Sequence, residues 1–122
     1  MTDDVTRATI EVVERFNEAF NRHDVDAVMA LMTEDAVFES TSPPDGERHE
    51  GTEAVRAAWN AFFAASPDAR FEGEDVIAIG DRCVVCWRYT WTDGGIGQHI
   101  RGVDVLRVRD GKVAEKLAYV KG

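Results

Sequence analysis

The stretch from His99 to Val120, HIRGVDVLRVRDGKVAEKLAYV, reads as two β-strands folded back on a turn at Arg109-Asp110-Gly111. Branched aliphatic and polar residues alternate on both sides, and Asp-Gly between such runs is a hairpin signal. A hairpin of this kind needs further strands beside it and a cover for its apolar face. One acid, Asp104, sits among Val103, Val105 and Leu106. An ionised carboxylate in apolar surroundings costs several kcal/mol unless it is paired, protonated or used. The rest of the chain is read as the container for that acid.

Ahead of the hairpin the pattern is helical, then β. From Val5 to Phe20, Val12, Val13, Phe16 and Phe20 recur at helical spacing among Glu11, Glu14, Arg15 and Glu18, which predicts an amphipathic helix. Asp3 and Asp4 suit its N-terminus, and His23 suits its end. Asp24 caps a shorter helix, Val25 to Met32. A strand follows at 35–41, then the loop SPPDGERHEG. Thr52 is the expected cap of a third helix, Glu53 to Ala65, with Val55, Trp59, Phe62 and Phe63 on one stripe; Ser66-Pro67 ends it. Strands are expected at 70–79, 82–92, 99–108 and 112–120, with DGGIGQ as the loop between the second and third. Three helices followed by an antiparallel meander make an α+β domain with the helices on one face of the sheet.

At 122 residues the chain has room for a single domain, 1–122. The net charge of −9 argues against nucleic acid and anionic membranes as partners, both of which are bound through Lys and Arg. No apolar run approaches the roughly 20 residues that span a bilayer. The acidic start, MTDDVTRATIEVV, is unlike a signal peptide, so a cytoplasmic location is expected. Cys83 and Cys86 form a CxxC spacing, but three residues apart on a strand they face opposite ways, and both read as small hydrophobes. There is no second Cys/His pair for zinc, and neither a metal nor a cofactor is expected.

The phrases NRHDVDAVMALMTEDAVFES (21–40), HEGTEAVRAAWNAFF (49–63) and GVDVLRVRDGKVAEKLAYV (102–120) resemble the SnoaL-like branch of the superfamily that contains nuclear transport factor 2 and ketosteroid isomerase. The resemblance implies a cone-shaped fold, with three N-terminal helices packed on a curved, mostly antiparallel sheet that encloses a pocket. The fold hosts isomerases, cyclases, hydrolases and non-catalytic binders, so it does not name a reaction. Asp104 matches the isomerase acid that donates a hydrogen bond to the developing oxyanion, a raised-pKa carboxyl of known type. The isomerase's proton-shuttling aspartate falls on Ser40 and its oxyanion tyrosine on Phe16. The essential aspartate that cyclase and epoxide-hydrolase members carry on the last strand falls on Ala118. Relatives dimerise through the outer face of the sheet, and a homodimer is implied here.

The candidate catalytic residues are Asp104, Arg88 and His49. With the turn centred in the DGGIG loop, Cys86, Arg88 and Thr90 share the Asp104 face, and Arg88 becomes its partner. The outer, dimerising face would then hold Trp87, Tyr89, Trp91, Val103, Val105, Leu117 and Tyr119. A two-residue turn at Asp110-Gly111 would set Asp104 with Val113, Leu117 and Tyr119; a three-residue turn would set it with Ala114, Lys116, Ala118 and Val120. The resemblance favours the second. His49, in the loop before the third helix, is the histidine to test as an acid or base. The candidate binding residues are Phe16, Phe20, Phe38, Ser40, Trp59, Phe63, Ala118 and Val120, which form an apolar pocket for a polyketide-, terpenoid- or steroid-like small molecule. Two functions are carried forward: a cofactor-independent isomerase, cyclase or hydrolase, and a non-catalytic ligand-binding or dimerisation module that has lost its base.

Overall fold

The structure is a computed structural model, and residues 3–121 of it are described. Helix α1 runs Asp4–Asn21. Asp3 opens it by accepting a hydrogen bond from the Thr6 amide at 2.7 Å, which satisfies one of the four unpaired N–H groups of the first turn. His23 turns the chain with φ 57°, and Asp24 accepts from the Ala27 amide at 3.1 Å to open α2, Val25–Ala30. The expected helix to Met32 is shorter because the next strand claims its end. Val113 donates its amide to the Leu31 carbonyl at 2.7 Å, and Met32 pairs with Val113, so β1 covers Met32–Glu39.

The loop expected at 42–51 is partly strand. Arg48–Glu50 forms β2, antiparallel to β1, once the prolines and Gly46 have been passed. Helix α3 is Gly51–Ala65, and Glu50 stands at its N-cap without a side-chain hydrogen bond. Thr52, expected as the cap, lies inside the first turn with its hydroxyl 3.4 Å from the Glu34 carbonyl. Strands β3 (Arg70–Ile79), β4 (Arg82–Asp93), β5 (Ile96–Arg109) and β6 (Lys112–Val120) follow.

The six strands form one sheet in the order β2-β1-β6-β5-β4-β3, antiparallel except for the parallel β1–β6 pair. Register shifts interrupt the β1–β6, β3–β4 and β5–β6 ladders. Such bulges bend strands and curve a sheet. The helices lie in the concavity. Val13, Phe16, Val28, Val55, Trp59, Leu106 and Val113 are at most 1% exposed and join helices to sheet in one apolar core. The expected α+β cone is what the chain adopts.

Candidate active site

Two hairpins decide which side chains face the helices. Between β4 and β5 the connection is just Gly94-Gly95, with φ 57° and 80°, and Asp93 pairs with Ile96. Positive φ at both positions is the type I′ geometry that suits twisted strands, and glycine takes it without strain. The ladder then runs without a break to Arg82↔Arg107, which sets Val85 opposite Asp104 and Trp87 opposite Gly102. Trp87 therefore joins the Asp104 face. Arg88 pairs with Arg101 on the other face and is exposed. The expected Arg88–Asp104 pair is thereby corrected: a turn centred on Gly95 is one residue off, and one residue flips a whole strand.

Between β5 and β6 the turn is again two residues, Asp110 (φ 53°) and Gly111 (φ 74°), closed by Arg109↔Lys112. After Val108↔Val113 the register shifts by one residue, so that Leu106 meets Lys116 and Asp104 meets Ala118. Each expected alternative supplies half of this result. The turn is the short one and the facing is that of the long one, because a bulge on β6 inserts the missing residue.

The bulge brings Lys116 inward. Asp104 and Lys116 are each 4% exposed, with Oδ2 and Nζ 3.7 Å apart. The ammonium also lies over aromatic rings, 4.2 Å from the Phe20 centroid, 5.0 Å from Trp59 and 5.3 Å from Phe16. Desolvated cation–π contacts of this kind are worth about 2 kcal/mol. Burial pushes the Asp104 carboxyl above the usual carboxylate range, and the Lys116 charge only partly restrains it. The same burial holds Lys116 below the usual lysine range, with Asp104 pulling the other way. The Trp87 indole also draws the acid downward, yet its N–H closes no hydrogen bond of normal geometry. Gly102 admits that indole: a Cβ there would stand 2.3 Å from the Tyr119 carbonyl oxygen and 2.6 Å from the Trp87 ring.

Above the pair opens a cavity of about 280 Å³. Phe20, Phe38, Trp59, Phe62, Phe71 and Tyr89 make most of its wall, with Asp104, Lys116 and Ala118 from the sheet. Ser40, Ser42, Glu47 and His49 line its polar side. Ser40 Oγ accepts from the Glu47 amide at 2.9 Å, which holds the loop together. The His49 ring stacks on Phe38, centroids 5.8 Å apart, with Nε2 3.8 Å from Glu47 Oε2. A second cavity of about 260 Å³, between α1 and strands β3 and β4, is lined by Glu14 and Glu18 and also by Asp104 and Lys116. The pair is thus a shared wall of two cavities.

Of the expected residues, the first cavity collects Asp104, His49, Phe20, Phe38, Ser40, Trp59 and Ala118. Phe16 is wholly buried beneath the lysine, outside the cavity wall. Phe63 stacks on His23 at 4.4 Å in the core, and Val120 is 38% exposed at the end of its strand. The expected outer face is corrected too. Trp87 and Tyr89 are inside, while Val103, Val105, Leu117 and Tyr119 lie on the convex face. Cys83 is buried, its thiol pushed up to about 11 by burial, and Cys86 is half-buried on the opposite face. Sequence reasoning missed Lys116 as the partner of Asp104. The signal was its place between Ala114 and Ala118 on the alternation that the longer turn implies.

A family model of the SnoaL-like domain matches residues 13–116. Among solved structures, a nuclear transport factor 2-like protein of unknown function from Mesorhizobium loti is 41% identical over 100% of this chain and 98% of its own, with a TM-score of 0.85. A protein from Jannaschia sp. CCS1, named as a candidate SnoaL-like polyketide cyclase, is 21% identical over 99% and 90%, with a TM-score of 0.85. An epoxide hydrolase/cyclase-like enzyme of pyran-ring formation in the polyether salinomycin is 23% identical over 94% and 92%, with a TM-score of 0.82. No curated protein matches. The last two likenesses speak for the fold, and the first, with the family match, for kinship: the chain belongs to the SnoaL-like family of the nuclear transport factor 2-like superfamily.

Proposed function

We propose that the chain binds a hydrophobic small molecule in the 280 Å³ cavity and performs acid–base chemistry on it with Asp104. The observation that carries this reading is a buried carboxyl and ammonium at the wall of an otherwise aromatic pocket. Apolar walls with a few convergent polar groups are the usual make-up of a ligand site. A carboxyl held above its ordinary pKa gives a proton or hydrogen bond to a developing oxyanion more readily than an exposed one once it is protonated. His49, at the polar side of the cavity, is the group through which protons would exchange with solvent. The volume lies near the lower end of the roughly 300–1,000 Å³ typical of ligand pockets, which favours a compact ring system over a full steroid. The cyclase and hydrolase names among structural neighbours are consistent with such a substrate.

The proposal extends to a second copy of the chain. Val103, Val105, Leu117 and Tyr119 give the convex face an apolar centre, flanked by Arg101–Glu74 and Arg107–Glu115 ion pairs. A homodimer through this face would cover it. Light scattering at micromolar concentration tests this, and a clean monomer overturns it.

The alternative is a non-catalytic binding module, favoured by the way Lys116 already answers Asp104 and by Ser40 where relatives carry a base. Asp104→Asn, which keeps the shape and removes the acid, separates the two. Loss of turnover with ligand affinity kept supports catalysis; affinity and turnover both unchanged overturns it. A panel of aromatic and terpenoid ligands read by tryptophan fluorescence supplies the ligand.

A further inference from the structure

We propose that Lys116 is a carbonyl-capturing amine: the pocket takes up an aromatic or otherwise unsaturated aldehyde or ketone and holds it as an imine on Nζ, with Asp104 as the acid that completes the step. The inference rests on the reading of the cavity as a small-molecule site and adds the substrate class. Four features of one place support it. Lys116, which carries the amine, lines the cavity. Asp104 Oδ2 is 3.7 Å away, an ion-pair distance from which a small closure around a ligand brings it within proton-transfer reach of the amine and of a bound carbonyl oxygen. Burial strips water from the nitrogen and so favours the uncharged amine that attacks carbonyls, against the pull of the surrounding rings on its cation. Finally, the indole N–H of Trp59 is buried without a protein acceptor among the described residues, and Trp59 lines the cavity, where a ligand oxygen would supply one.

The step balances within the pair. Transfer of one proton from Lys116 to Asp104 turns ammonium and carboxylate into amine and carboxyl. The nitrogen lone pair forms the C–N bond, the carbonyl π pair moves to oxygen, and that oxygen takes the Asp104 proton. A second proton then passes from nitrogen to the hydroxyl, the C–O bond breaks, and water leaves. What remains is a protonated imine facing the Asp104 carboxylate, so the buried pair is a cation and an anion at the end as at the beginning. Neither oxidant nor reductant is needed.

The test uses the full folded chain with cinnamaldehyde and sodium cyanoborohydride, which delivers hydride to the imine carbon and leaves a stable secondary amine. The chain offers its own controls, since its other lysines are the exposed Lys112 and Lys121. Peptide mass spectrometry is expected to find at least about tenfold more label on Lys116, because a pocket that holds the aldehyde raises its effective concentration at the amine. That preference is expected to vanish in urea and in Lys116→Arg. Label on Lys116 equal to or below that on Lys112 and Lys121 in the folded chain overturns the inference. Cinnamyl alcohol, which keeps the ring and lacks the carbonyl, separates the two readings. If it quenches tryptophan fluorescence while the aldehyde leaves Lys116 unlabelled, the amine inference falls and the pocket stands; if it does not bind and no label appears, both fall.

Discussion

The β4–β5 and β5–β6 hairpins close on the same kind of turn, two residues with positive φ, and yet they dispose of their side chains by different rules. In the first, the ladder is regular from Asp93↔Ile96 down to Arg82↔Arg107, and a two-residue turn is in step with a register in which Trp87 and not Arg88 shares a face with Asp104. In the second, a register shift beside Arg107 and Val108 cancels the turn's effect and swings Lys116 inward. The same local chemistry therefore excludes one cation from the pocket and admits another. Arg88, with its large planar fork, is left to solvent. The lysine, a point charge on a flexible stem, is the one buried among rings.

The comparison can be broken most severely at the lysine. Lys116→Met, or Asp104→Leu, leaves one buried charge without its partner and is expected to cost about 3–5 kcal/mol in urea unfolding, whereas the double variant is expected to match or exceed the wild type. A cost for the single lysine variant as small as that of an Arg88→Met control would place Lys116 outside and dismiss the bulge. In the regular hairpin the counterpart is Gly102→Ala. The added methyl meets the Tyr119 carbonyl and the Trp87 ring, and a loss of about 1–3 kcal/mol is expected, with altered tryptophan fluorescence. A neutral outcome would mean that Trp87 does not lie over that glycine.

A pH series sharpens the account of the pair. Once Lys116 is replaced by Met, the charge that chiefly opposes burial is gone, and only the Trp87 indole still draws the Asp104 carboxyl back toward its unfolded value of about 3.9. The folded state then holds a proton that the unfolded chain has released. Stability relative to wild type is therefore greatest below about pH 3.9 and falls as pH rises, by at most about 1.4 kcal/mol per pH unit, until the folded carboxyl ionises. Asp104→Asn in the same background abolishes the slope. A slope of opposite sign would mean that the carboxyl finds another charge partner. The smallest effect is expected from a glycine inserted between Gly94 and Gly95, well under about 1 kcal/mol, since lengthening a short loop adds little closure entropy. The buried Cys83, Val85 and Trp87 hold β4 in place, and the turn absorbs the insertion. A loss of several kcal/mol in the same unfolding measurement would show that the turn, rather than the core, pins the register.

The alternation of apolar positions, the capping acids and the turn glycines made nearly all the elements legible, and the shortfalls have a common cause. The second helix is two residues shorter than its pattern because β6 hydrogen-bonds the Leu31 carbonyl, and β2 forms because β1 offers Val37 to Glu39 as an edge. Partners remote in sequence override local preference in both places. At the site, Asp104, Phe20, Phe38, Trp59, His49, Ser40 and Ala118 were legible as candidates and gather at one cavity. Arg88 was misplaced by a single residue of turn length, and Lys116, though set on the Asp104 face by the favoured alternative, was passed over as partner because Arg88 had been given that place.

By itself, then, the amino-acid sequence determined the order of helices and strands, the membership of a SnoaL-like cone and the presence of one acid that the fold must accommodate. The order of elements and the acid follow from periodicity and local chemistry, which act over a few residues, and the membership from the resemblance of three phrases to the family. The tertiary structure alone decided which cation answers that acid, which tryptophan covers it and which apolar residues are left on the convex face. Each depends on strand register, and in a ladder of period two a shift of one residue exchanges every inward side chain for its outward neighbour.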